Sequence, residues 1–106
     1  MHPTSTSPSP ELESLLDYVR RVVFGLVPKD LHDRIEFDHT VGSKTRTSGV
    51  STQVTTVHFH VGGPPSVLGR LIGDEGATVR ATQLLVRNAT RAICGDRVFA
   101  YFDVLS

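Results

Sequence analysis

Residues Val67 to Arg87, reading VLGRLIGDEGATVRATQLLVR, set two glycines three positions apart between two segments of helical spacing. A chain that turns sharply between two helices needs backbone freedom at the turn, and Gly73 and Gly76 supply it because neither carries a Cβ. The second helix then presents unpaired N–H groups and the positive end of its dipole to the turn. That arrangement is a seat for a phosphate. Two such glycines occur by chance in many loops, so the context carries the weight. Ile72 precedes the first glycine, Arg70 lies one turn upstream, and Val79, Leu84, Leu85, Val86, Ala89 and Ile93 follow with helical spacing.

A chain of 106 residues holds one domain with one core. Eleven basic residues balance eleven acidic ones, so attraction to a polyanion has to come from local placement of charge. The single cysteine, Cys94, excludes an internal disulfide and suggests a reducing compartment, with cytosol as the default. No stretch approaches the roughly 20 apolar residues that span a bilayer, which predicts a soluble protein. The start, MHPTSTSPSP, lacks the basic and apolar regions of a secretory signal. Its Ser, Thr and Pro content predicts a disordered tail over residues 1–9, with one domain over 10–106.

From Pro10, Leu12, Leu15, Leu16, Val19, Val22, Val23 and Leu26 step along one helical face. Ser9 is placed to cap this helix, Pro10 suits its first position, and Gly25 with Pro28 marks its end. Arg34 to Val41 alternates with the period of a half-buried strand, and a second strand is expected from about Gln53 to Val61. The polar stretch VGSKTRTSGVST between them reads as a mobile loop, able to contact a ligand through Lys44 and Arg46. After the break at Gly62 to Pro65, Ser66 is placed to cap a short helix from Val67 to Ile72. A longer helix begins near Gly76, and a last strand runs from Arg97 to Val104. The order is α-β-β-α-α-β, an α+β chain with three helices against a three-stranded sheet.

The run Gly73-Asp74-Glu75-Gly76 between two helices resembles the GXXG loop of a KH domain, which clamps the backbone of about four nucleotides. The order of elements is similar to the type II KH topology over nearly the whole chain. Within that family the run GRLIGDEGATVRATQLLVRNATRA looks most like the small bacterial single-domain KhpA group. The resemblance implies a cytoplasmic single-stranded RNA-binding protein, an RNA chaperone or post-transcriptional regulator, acting as a homodimer or beside a larger KH protein, KhpB. Carried to this chain, it lays RNA along a groove between the second and third helices and the neighbouring strand. Gly73 and Gly76 would permit close approach, Ile72 and Val79 would floor the bases, and Arg70 and Arg80 would pair with phosphates. Arg80, Gln83, Arg87 and Arg91 fall on one helical stripe, either a basic wall for RNA or the solvated face of an amphipathic helix.

The two residues between the glycines, Asp74 and Glu75, depart from the family's basic or neutral pattern. Each carboxylate at about 5 Å from a phosphate would repel it by roughly 1 kcal/mol in a water-like medium and by about 3 kcal/mol at an effective dielectric near 20. Acids at a helix start also satisfy its free N–H groups, so the chain would then fill its own anion seat. Two readings follow: an RNA-binding module, or a KH-fold interaction and dimerisation module that has lost RNA contact.

A candidate contact surface is the sheet face away from the helices, where Thr56, His58, His60, Phe99 and Tyr101 are expected. His58 and His60 point together, but nothing in the sequence completes a metal set with them. Cys94 reads as a small apolar residue at a helix end, and the sequon Asn88-Ala89-Thr90 falls inside the longest helix. With no phosphate loop of the Walker type and no nucleophile elbow, neither a cofactor nor an enzymatic activity is expected.

Overall fold

The computed structural model describes residues 9–48 and 50–105, residues 46–48 and 50–52 by backbone alone. The tail expected over residues 1–9 lies outside the described residues except for Ser9.

Helix α1 spans Pro10–Gly25. Ser9 is its N-cap, with the Leu12 N–H donating to Ser9 Oγ at 3.2 Å, and Pro10 takes the first helical position, where its missing N–H costs nothing. Leu15, Val19 and Val23, one turn apart, are fully buried. A 3-10 segment, Lys29–Arg34, leads into the sheet. There His32 Nε2 lies 2.8 Å from the Val27 carbonyl, and its ring meets Phe24 edge-on with centroids 5.0 Å apart.

The first two strands form a long antiparallel hairpin, β1 (Glu36–Ser48) against β2 (Val50–Gly62), in register from Glu36 opposite Gly62 to Ser48 opposite Val50. This corrects the loop expected over residues 41–52, where residues 41–48 and 50–52 continue the two strands. The segment lacks apolar alternation, yet its threonines and valines have high strand propensity, and a ladder already begun extends by backbone bonds whatever the side chains.

Helix α2 (Pro65–Ile72) starts on Pro65, so Ser66 sits inside the helix and does not cap it. Helix α3 (Ala77–Cys94) and strand β3 (Val98–Val104) complete the chain. β3 pairs parallel to β2, which gives the sheet order β1-β2-β3 with β2 central and β3 at an edge. Val57, Phe59 and Val61 of β2 are fully buried on the side that packs against Val67, Leu71, Val86 and the α1 valines. On α3 the buried stripe is Thr82, Val86 and Thr90, while Leu84 and Leu85, which share the helical spacing, are 55% and 46% exposed. The two buried threonines stay satisfied inside the helix, since Thr82 Oγ1 donates to the Thr78 carbonyl at 2.9 Å and Thr90 Oγ1 to the Val86 carbonyl at 2.6 Å. The sequon lies inside α3, where Asn88 is exposed and Thr90 is buried, so it is not on a loop.

Candidate nucleic-acid interface

Gly73 closes α2 and cannot be replaced by an L-residue without strain. Its φ is 73°, its N–H donates to the Gly69 carbonyl at 3.0 Å, and a Cβ there would lie 2.7 Å from the Cβ of Thr78 and 2.9 Å from its backbone nitrogen. Asp74–Gly76 then make one 3-10 turn. Gly76, at φ 78°, is the N-cap of α3, and its N–H reaches back to the Gly73 carbonyl at 3.3 Å. The two glycines therefore fold the backbone into a tight bend that opens onto the start of an 18-residue helix.

Between them Glu75 adopts φ 52° and ψ 30°, the one non-glycine residue at positive φ among the described residues. This left-handed conformation costs about 1–2 kcal/mol for an L-residue. The neighbouring helix supplies a brace: Arg80 Nη1 donates to the Glu75 carbonyl at 2.7 Å. The same guanidinium passes over Gly76, where a Cβ would lie 3.0 Å from Nη1. Arg80 is thus drawn to the loop, with part of its donor set still facing solvent.

The expectation that Asp74 and Glu75 cap α3 is overturned. No side chain caps that helix, and both acids are exposed. The Ala77 N–H is met by the Asp74 carbonyl. The physical reason is position, because Gly76 at φ 78° sets the helix start at Ala77 and leaves both acids in the preceding turn. The carboxylates border the anion seat without occupying it.

Arg70 is exposed in the last turn of α2, and Ile72 is half-buried beside the loop. Val79 packs against the core cluster. Farther along α3, Gln83 Nε2 donates to the Phe102 carbonyl at 3.1 Å and so bonds the helix to the free edge of β3. Arg87 and Arg91, both exposed, line a cleft of about 560 Å³ with Asp96 and with Val98 to Tyr101 of β3. The stripe therefore runs along the sheet edge from the glycine loop to the beginning of β3. Sequence reading missed the edge itself and the Phe102 carbonyl, because strand order is set by tertiary pairing.

Lys44 does not join this group. Its ammonium lies 5.9 Å from the centroid of the Phe99 ring, on the sheet face away from the helices, and the Arg46 side chain lies outside the described residues. On that face His58 stacks on Tyr101 with centroids 4.7 Å apart and on His60 at 6.1 Å. Tyr101 is 40% exposed. Among the described residues no group of three or more His, Cys, Asp or Glu is placed to hold a metal ion, and no helix is long and apolar enough to cross a membrane. At the far end of α3, Cys94 Sγ lies 3.7 Å from the Glu11 carbonyl, and burial, then the Glu11 carboxylate, pushes its thiol above the usual range.

No protein-family model and no curated protein matches this chain. Among solved structures it is similar to an Era variant from Aquifex aeolicus bound to GDP·AlF4−, at 13% identity and a TM-score of 0.61. It is equally similar to Era in complex with MgGDPNP and nucleotides 1506–1542 of 16S ribosomal RNA, at 13% identity and a TM-score of 0.62. In each case the match covers 98% of this chain and 36% of the other. At that identity the likeness establishes the fold, which is of the type II KH kind found in the KH domain of Era.

Proposed function

We propose that this chain binds single-stranded RNA, with the phosphate backbone at the Gly73–Gly76 loop and the strand continuing along α3 and the β3 edge. The observation that carries the reading is the start of α3: no side chain caps it, it is reached through two glycines at positive φ, and Arg80 lies beside it. The fold adds support, since one similar structure is a complex with a ribosomal RNA segment. Arg70 and Arg80 pair with phosphates on either side of the loop, while Ile72 and Val79 meet base faces. Gln83 and Arg87 continue the contact surface toward Arg91, about 16 Å along the helix from Arg80.

In this reading the protein is a small cytoplasmic RNA chaperone or post-transcriptional regulator of the KhpA kind. It is not an enzyme and needs no cofactor. It acts as a homodimer or beside a KhpB-like partner. A pool of short labelled single-stranded RNA titrated with the protein tests the core of the proposal: binding should be saturable and should weaken with salt.

A second reading rests on Asp74 and Glu75, two exposed carboxylates at the loop. It makes the chain a KH-fold interaction or dimerisation module that repels RNA. Replacing both acids with lysine separates the two, because RNA binding that appears only in the double variant identifies the acids as the barrier.

A further inference from the structure

The helices pack on the side of the sheet that carries Val57, Phe59 and Val61, so among the described residues no helix covers the side that carries His58, His60 and Tyr101. There the three rings form a ladder, His60 stacked on His58 and His58 on Tyr101. β3 is an edge strand, so no strand stands beyond Tyr101, and its exposed ring ends the ladder. Aromatic rings set on an uncovered sheet are stacking surfaces for unpaired bases.

The cleft beside Arg87 and Arg91 reaches round this same edge, since Phe99 and Tyr101 line it together with the arginines. The α3 side of the sheet edge and the uncovered face are therefore one continuous surface. A GXXG loop clamps the backbone of about four nucleotides, and a strand of that length entering at Gly73–Gly76 and following α3 arrives at this cleft. We propose that a longer single strand of RNA continues round the β3 edge onto the uncovered face, where the next base extends the ring ladder by stacking on the outer side of Tyr101. This extension of the site rests on the RNA reading above and adds to it nucleotides beyond those held at the loop.

Charge on the uncovered face sets the direction of the strand. Asp38 and Asp103 flank His60 across the sheet, and Glu36 follows Asp38 on the same face, so that end repels phosphate. Lys44 stands toward the other end, its ammonium 5.9 Å from the Phe99 ring, and attracts it. A strand that leaves Tyr101 therefore runs toward Lys44. On the way Gly42 faces Thr56 of β2, where a Cβ would lie 3.2 Å from Thr56 Oγ1. Without that carbon the row stays low and a nucleotide backbone can approach it closely. Stacking of this kind adds affinity without demanding a sequence, because every base has a π-face.

Two labelled oligomers of equal length test the extension by fluorescence anisotropy: an oligouridine, and the same backbone with bases kept at four central positions and abasic sugars on both flanks. Loss of the flanking bases should weaken binding by a factor about tenfold larger for the wild-type chain than for Tyr101→Ala. Tyr101→Leu, which keeps apolar bulk on the sheet, should behave as Tyr101→Ala does and replaces it if the alanine variant unfolds. Arg80→Glu should weaken both oligomers alike, because it acts at the loop. An equal abasic penalty in wild type and in the Tyr101 variants overturns the extension and leaves the loop site standing. A folded wild-type chain that binds neither oligomer overturns the loop site, and the extension with it.

Discussion

Arg80, in the first turn of α3, donates from Nη1 to the carbonyl oxygen of Glu75 at 2.7 Å, and so braces the one non-glycine residue held at positive φ among the described residues. One side chain thereby links the geometry of the loop to the charge beside it. The brace is exposed, so its contribution to stability is small. The charge it sets beside the loop matters more for an anionic ligand.

Removing the brace by Arg80→Ala should destabilise the fold by about 0.5–1 kcal/mol, the range of a single exposed hydrogen bond. Glu75→Gly should act in the opposite direction, stabilising by about 1 kcal/mol as the left-handed strain is relieved. Urea denaturation of both variants and of their combination reads the two effects and their coupling.

The two glycines of the α2 region differ in what they tolerate. Gly73→Ala introduces a Cβ at φ 73° against Thr78 and should cost about 2 kcal/mol or more. Gly69→Ala lies in helical backbone with nothing within 4 Å of the added carbon, and should stabilise by about 0.5–1 kcal/mol. Thermal melts of the pair give opposite shifts in Tm.

Much of the fold was legible in the sequence because it rests on local chemistry. The period of Leu15, Val19 and Val23, the Ser9 cap and the alternation of Val57, Phe59 and Val61 each report their own element. The hairpin extension was not, since its sequence shows no apolar alternation, residues 42–45 and Gln53 are exposed, and it is the ladder partner that holds the backbone extended. The glycines of the site were legible through their spacing. The brace from Arg80 depends on the turn that Gly76 sets, and the Gln83 bond to Phe102 spans 19 residues of sequence and exists only once α3 docks on the sheet. The acids were misread as caps because a carboxylate near a helix start satisfies that role in sequence whether or not the helix begins one residue later.

Cys94 offers a probe of the other end of α3. Burial and Glu11 raise its thiol in the folded state, so the folded chain holds that proton more tightly than the unfolded one. This group leaves stability unchanged below the unfolded value of about 8.5 and lowers it as pH rises from there through the folded value. Alkylation at neutral pH should be slower than for an unfolded control, and Glu11→Gln should speed it. Equal rates in all three would refute the assignment.

Asp74 and Glu75 set the electrostatic cost at the loop. Replacing both with lysine should tighten binding of single-stranded RNA by about tenfold or more, and should steepen its salt dependence. The comparison is made by fluorescence anisotropy with the wild-type chain under identical salt.

The measurement that bears most directly on the central claim is the anisotropy of a labelled short single-stranded RNA pool titrated with the folded wild-type chain and with Arg80→Glu at two salt concentrations. Saturable binding that weakens with salt and is reduced in Arg80→Glu is the predicted result. A folded wild-type chain that leaves the anisotropy unchanged, or that binds as well with Arg80→Glu, would contradict the assignment of the Gly73–Gly76 loop as an RNA site.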